Sequence, residues 1–158
     1  MSQINFVHNS KILDAVESII GKNILVCSTT LFIKNPNEEG FVSYHQDAKY
    51  IGLEPHNWVT AWVALTDSNE SNGCMKMWPK SHLNIKDHNE KFNEGNLLTR
   101  GQTVENVPEM EVKSIELKAG QMSLHHPRVT SLRRKWLKWN RKPLRKRRIL
   151  WKIGCRKF

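Results

Sequence analysis

The sequence predicts a mainly β fold, an antiparallel jelly roll with one N-terminal helix. Three observations predict it. Apolar runs are short and numerous, polar turns rich in Gly, Pro and Asn separate them, and only one stretch carries helical periodicity. That stretch is residues 9–21, where Ile12, Leu13, Val16, Ile19 and Ile20 recur at i, i+1, i+4, i+7 and i+8 and so share one face. Asn9 or Ser10 can cap its start, and Gly21 can end it.

The strands follow in order. Residues 23–34 are rich in β-branched and apolar side chains and stop at Asn35-Pro36-Asn37. Residues 41–50 and 57–66 read as two further strands. Trp58 to Leu65 is apolar almost throughout, which predicts a strand covered on both faces. Asp67 to Gly73 is a polar turn, and Cys74 to Trp78 alternates like a short strand before Pro79. Residues 84–108 are polar and predict a long loop. Lys113–Leu117 and Met122–Val129 read as the last two strands, joined by Lys118-Ala119-Gly120.

Composition narrows the function classes. The 158 residues suffice for one domain with a core. No run of 18 or more apolar residues exists, and the N-terminus lacks a basic segment leading into an apolar one, so neither a membrane span nor a signal peptide is expected. Cys27, Cys74 and Cys155 are an odd, scattered set, which fits a reducing cytoplasm and not a disulfide framework or zinc site. The net charge of +10 belongs to one end. Residues 131–158 hold 13 of the 25 Lys and Arg and no Asp or Glu, while residues 1–130 hold 12 basic against 15 acidic side chains. The chain as a whole therefore does not read as a binder of nucleic acid or membrane.

His45-Gln46-Asp47 is the segment with chemical potential. In an extended chain side chains at i and i+2 share a face, so His45 and Asp47 can bind one metal ion together. With a second His from another strand they would make a facial triad, leaving open positions for an oxo acid and O₂. The motif alone is weak, because a surface His–Asp pair at a strand end would look the same.

Its context is more specific. Gly21-Lys22-Asn23-Ile24, Leu31-Phe32-Ile33-Lys34, Tyr44-His45-Gln46-Asp47, Ala61 to Asp67, Asn72-Gly73-Cys74-Met75, Pro79-Lys80-Ser81-His82 and Leu117 to His126 follow one another in order and spacing. Over residues 21–130 this series resembles the phytanoyl-CoA dioxygenase family. The resemblance implies a double-stranded β-helix and a dioxygenase that hydroxylates a small organic substrate with O₂. It implies Fe(II) held by His45 and Asp47, with 2-oxoglutarate as cosubstrate on the same iron and Leu31, Gln46 and Trp62 on the cosubstrate wall. Leu31 and Trp62 would be core residues in any fold of this pattern. Asn72-Gly73 reads most simply as a turn, and Lys80 stands where the family usually has Gly.

After Thr130 the resemblance stops. It places the second His ligand five residues beyond His126, where this chain has Ser131, and a carboxylate-binding Arg about eleven residues further on. Residues 1–130 therefore read as a partial jelly-roll domain and 131–158 as a disordered basic tail outside its core. A changed reading frame would account for the switch. If Ser131 to Trp136 were encoded TCA CTC AGG AGG AAA TGG, the frame one base later would read His-Ser-Gly-Gly-Asn-Gly. The same resemblance implies further residues before the first helix. Of His125 and His126, neighbours in a strand, only one can face the iron. The expected outcome is an inactive oxygenase domain. The rival readings are a non-catalytic jelly roll and a binder of anionic partners through the basic tail.

Overall fold

The computed structural model describes residues 6–35, 39–90, 94–98 and 103–133, together with the backbone of Gln102 and of 148–157. Helix α1 (Ser10–Ile20) leads into β1 (Ile24–Lys34) and β2 (Val42–Gln46), then a short helix α2 (Asp47–Ile51) and β3 (Trp58–Ala64). Strand β4 (Met75–Met77), the small ribbon β5 (Asn89–Glu90) with β6 (Gln102–Thr103), and β7 (Lys113–Ile115) come next. Strands β8 (Met122–His125), β9 (Thr130–Arg133) and β10 (Arg148–Lys157) complete the order.

Two four-stranded antiparallel sheets form the body, in the orders β1-β10-β3-β8 and β2-β9-β4-β7. Strand β3 is buried along its whole length, as its nearly continuous apolar run predicts. One face of it, Val59, Ala61 and Val63, packs against Ile12 and Val16 of α1. The other supplies Trp62 and Ala64, which cluster with Met75 and Met77 of the opposite sheet and with Phe32 and Val129. Burying each large side chain of this kind contributes about 1.5–3 kcal/mol. Helix α1 ends where predicted: Gly21 takes φ 82 and donates its N–H to Glu17 O at 2.8 Å. Among the described residues no helix is long and apolar enough to cross a membrane.

Three expectations change. The strand foreseen over 41–50 is β2 followed by α2, because Asp47 opens a helical turn closed by Gly52 in the left-handed conformation. The long loop over 84–108 carries the β5–β6 ribbon. The largest change concerns the tail. Ser131, Leu132 and Arg133 continue β9, and residues 148–157 form a strand hydrogen-bonded between β1 and β3. Ile149, Trp151, Ile153 and Cys155 alternate with Leu150, Lys152, Gly154 and Arg156, a period-two pattern that the count of charges conceals. Residues 134–147, which include the position where the resemblance puts its Arg, lie outside the described residues.

The turn before Ser81 accounts for the departure at Lys80. Lys80 takes φ 63, ψ −2, a conformation that costs a side chain with a Cβ about 1–2 kcal/mol and Gly much less. Lys80→Gly should therefore raise stability by about 1 kcal/mol in chemical denaturation. Removing residues 148–158 should do the opposite. Strand β10 is the partner of β1 in this sheet, so its loss exposes a long edge. We expect the shortened chain to lose its cooperative melt by circular dichroism, and the full chain to protect amides across 149–156 from hydrogen exchange.

Candidate metal centre

Strand β2 sets the site. Gln46 is extended, with φ −112 and ψ 127, so the strand's alternation persists to Asp47 even though Asp47 begins α2. His45 and Asp47 thus meet on one face, with His45 Nε2 3.3 Å from Asp47 Oδ1 and both side chains buried. Ala48 N–H donates to Pro127 O at 3.0 Å and ties this turn to the segment after β8. The other carboxylate oxygen, Oδ2, accepts from Thr60 Oγ1 at 3.1 Å.

The hydrogen bonding of His45 fixes what its free nitrogen can do. Nδ1 lies 2.9 Å from Ser43 O, and a carbonyl can only accept, so Nδ1 carries the proton. In the neutral ring the Nε2 lone pair then faces a carboxylate oxygen. Two acceptors at 3.3 Å require a cation or a proton between them. Two ligands bound at about 2.1 Å and subtending about 90° at a metal lie about 3.0 Å apart, close to the spacing found here. The backbone bond that selects the tautomer is also the usual support of a metal-bound histidine.

The third position is not filled in the same way. Ser131 stands opposite His45 in the β2–β9 register, buried, where a second imidazole would be needed. His125, opposite Thr60 on β8, turns into the cavity, with Nε2 3.9 Å from Asp47 Oδ2. Among the described residues no group of three or more His, Cys, Asp or Glu side chains could hold a metal ion. His45 and Asp47 therefore fit two positions of a coordination sphere, and the set does not fit the three-ligand centre that the resemblance implies. His126 is no substitute. It lies against His82 and accepts the Arg128 N–H at Nδ1, 3.1 Å away, so its proton sits on Nε2; burial, followed by the charge of Arg128, lowers its pKa.

A cavity of about 450 Å³ opens on this pair. Trp62 lines it, as expected, and its partner at stacking distance is Phe32, ring centroids 5.1 Å apart. Leu31 does not line it: 39% exposed, it points outward, while Thr30 and Phe32 on either side point in. Gln46 does not line it either. The alternation that brings His45 and Asp47 together sends Gln46 to the opposite face, where its Nε2 donates to Asn84 O at 3.0 Å and to Arg128 O. Its Oε1 accepts Lys86 N–H at 2.9 Å. Gln46 is thus a buried crosspiece between β2 and the loop after β4. His125, one of the two neighbouring histidines considered from the sequence, lines the cavity together with Arg133, and Thr60, which was not foreseen, bonds Asp47 beside it. Thr60 was legible, since it lies two residues before Trp62 on the same face of β3.

His88 fastens the same loop. Its Nδ1 donates to Lys86 O at 2.8 Å and its Nε2 accepts Gln46 N–H at 3.0 Å, a pair of bonds open only to the neutral ring. Burial, partly offset by the bond to Lys86, lowers its pKa below 6.5. A His with a depressed folded pKa contributes stability that is full above the unfolded value and is lost as pH falls. Comparing the denaturation midpoints of wild type and His88→Gln at about pH 7.5 and about pH 5 checks this. The wild-type advantage should shrink at the lower pH, and a constant advantage would count against the neutral, doubly bonded ring.

The comparisons agree with this architecture. The profile of the phytanoyl-CoA dioxygenase (PhyH) family matches residues 3–130 and so ends where the sequence resemblance stops. A phytanoyl-CoA dioxygenase of Arabidopsis thaliana is 30% identical over 123 residues, covering 77% of this chain and 43% of its own length. The apo structure of the non-heme monooxygenase ThoJ superposes with TM-score 0.78 at 31% identity, over 98% of this chain and 54% of that one. EvdO2 of Micromonospora carbonacea var. aurantiaca, solved with 2-oxoglutarate, shares the fold at 15% identity, with TM-score 0.76 over 96% of this chain and 62% of its own. The chain spans less than half of the Arabidopsis relative. A match over most of the chain, on a jelly roll that brings His45 and Asp47 together, makes it a member of the phytanoyl-CoA dioxygenase family.

Proposed function

We propose that this chain is a domain of an Fe(II)- and 2-oxoglutarate-dependent oxygenase in which His45 and Asp47 attach the metal and a third protein ligand is missing. The parent activity is hydroxylation of a small organic molecule with O₂. The 3.3 Å approach of His45 Nε2 to Asp47 Oδ1, two buried acceptors arranged for a shared cation, carries this reading. Iron would supply the oxidising chemistry. The chain's own part is to hold the pair through Ser43 O and Thr60 Oγ1 and to wall off water with Trp62 and Phe32. Leu97 and Leu98, which lie between β5 and β6 in the chain, line the same cavity and suit an apolar portion of such a molecule. Leu31 and Gln46 have no part in this wall.

Ser131 at the ligand position supports a chain that turns over no 2-oxoglutarate as it stands. Anion binding through a free basic tail finds less support, since residues 148–157 belong to a sheet. Cys27 and Cys74 carry reduced thiols, which suits the expected reducing, cytoplasmic setting. With Fe(II) and 2-oxoglutarate supplied, succinate formation should not exceed background. Ser131→His should tighten Ni(II) binding, measured calorimetrically, by at least the roughly 10- to 100-fold that even outer-shell partners of a metal are worth. Asp47→Ala should remove that binding. Metal affinity indifferent to both changes would overturn the reading.

A further inference from the structure

Strand β1 is an edge of its sheet among the described residues, with β10 as its neighbour. An edge presents a row of N–H and C=O groups to any strand that can lie beside it, and folds usually guard it with charge, Pro or a short strand. Strand β1 has 11 residues and no Pro, and its one charged side chain, Lys34, is buried at its far end. A shift in register between Val26 and Ser28 divides it. Before the shift, Ile24 and Val26 pack on the core beneath α1. After it, residues 28–34 run regularly. Ser28, Thr30 and Phe32 line the cavity, so Thr29, Leu31 and Ile33 alternate onto the other face. There Leu31 is 39% and Ile33 49% exposed, two large apolar side chains beside an open edge.

We propose that β1 pairs antiparallel with β1 of a second copy of this chain, about a twofold axis at Leu31. Leu31 is the midpoint of the regular stretch 28–34, so pairing all of that stretch with its own copy puts the axis there. Leu31 then faces Leu31, Ile33 faces Thr29 and Thr30 faces Phe32, so each pair joins side chains of one face. The exposed apolar side chains cover one another, and the ladder adds roughly six to eight backbone hydrogen bonds. No two charges meet in this register, because Lys34 falls opposite Ser28. A twofold contact uses the same edge of both copies and closes at a dimer. The net charge of +10 opposes the approach of two copies, and salt screens that repulsion. The pairing needs no metal and stands apart from the proposal above.

Sedimentation equilibrium of the full chain at low and high salt tests it. We expect a monomer–dimer equilibrium that tightens as salt rises. Leu31→Lys sets two like charges on the axis and removes two apolar side chains from it, which should raise the dissociation constant at least about tenfold. Mild oxidation of Leu31→Cys should link two copies through residue 31, identified by peptide mass mapping, since facing side chains lie within bridging distance. Ile33→Cys, which faces Thr29, should not link to itself. The cysteine variants keep the test open if Leu31→Lys fails to fold. A wild-type chain that stays monomeric at every concentration and salt would overturn the proposal, as would a dimer that Leu31→Lys leaves intact. Equal linking through both cysteine variants would remove the axis at Leu31. Association that weakens with salt, or that grows past the dimer, would assign the contact to another surface and sink the proposal too.

Discussion

The extended backbone at Gln46 sorts three consecutive side chains onto two faces, and the site depends on that sorting. His45 and Asp47 turn inward and approach to 3.3 Å. Gln46 turns the other way and is almost fully buried, bonded to backbone groups at Asn84, Lys86 and Arg128. A buried amide is costly unless its donors and acceptor are satisfied, so the loop after β4 must close over it. The bond from Gln46 N–H to His88 and that from Ala48 N–H to Pro127 O anchor the same turn from both sides. The inward pair is therefore held by an outward one. A one-residue slip of β2 would exchange them, placing an amide in the cavity and an imidazole and a carboxylate against backbone carbonyls.

Most of the fold could be read from residues that report on one face of an element. The stripe from Ile12 to Ile20 announced α1, and the almost wholly apolar run from Trp58 to Leu65 announced a strand buried on both sides. His45 and Asp47 were legible because period two is a local rule. Leu31 and Gln46 were placed on the cavity wall by resemblance, against that same rule. Once His45 and Asp47 point inward, Gln46 must point out, and once Phe32 stacks on Trp62, Leu31 faces away. Strand β10 escaped notice for another reason. The 13 Lys and Arg of 131–158 read as a disordered basic tail, whereas a strand pairing with β1 and β3 gains backbone hydrogen bonds along its length. His88 gave no local signal at all, since its role depends on where a loop lands.

The same pairing that explains β10 also explains why the third ligand matters. Ser131 is held between His45 on one side and Met77 on the other, so its position is set by two registers at once. A histidine elsewhere cannot take its place by a small adjustment. His125 lies on the facing sheet, beside Thr60, and His126 is committed to the backbone at Arg128. The difference from the ligand set that the resemblance implies is thus one of side-chain chemistry at a position the backbone still supplies.

That distinction separates what the fold retains from what the site can do. Arg133 lies over Phe32 and Trp62 on the aromatic wall, on the same strand as Ser131. Residues 131 and 133 share a face of β9, so one period-two step separates two side chains that both line the cavity. The cavity of about 450 Å³ has Phe32 and Trp62 on its wall, with His45 and Asp47 turned into it. Side chains at two alternate positions of one strand, Ser131 and Arg133, thus set what the cavity presents beside His45 and Asp47.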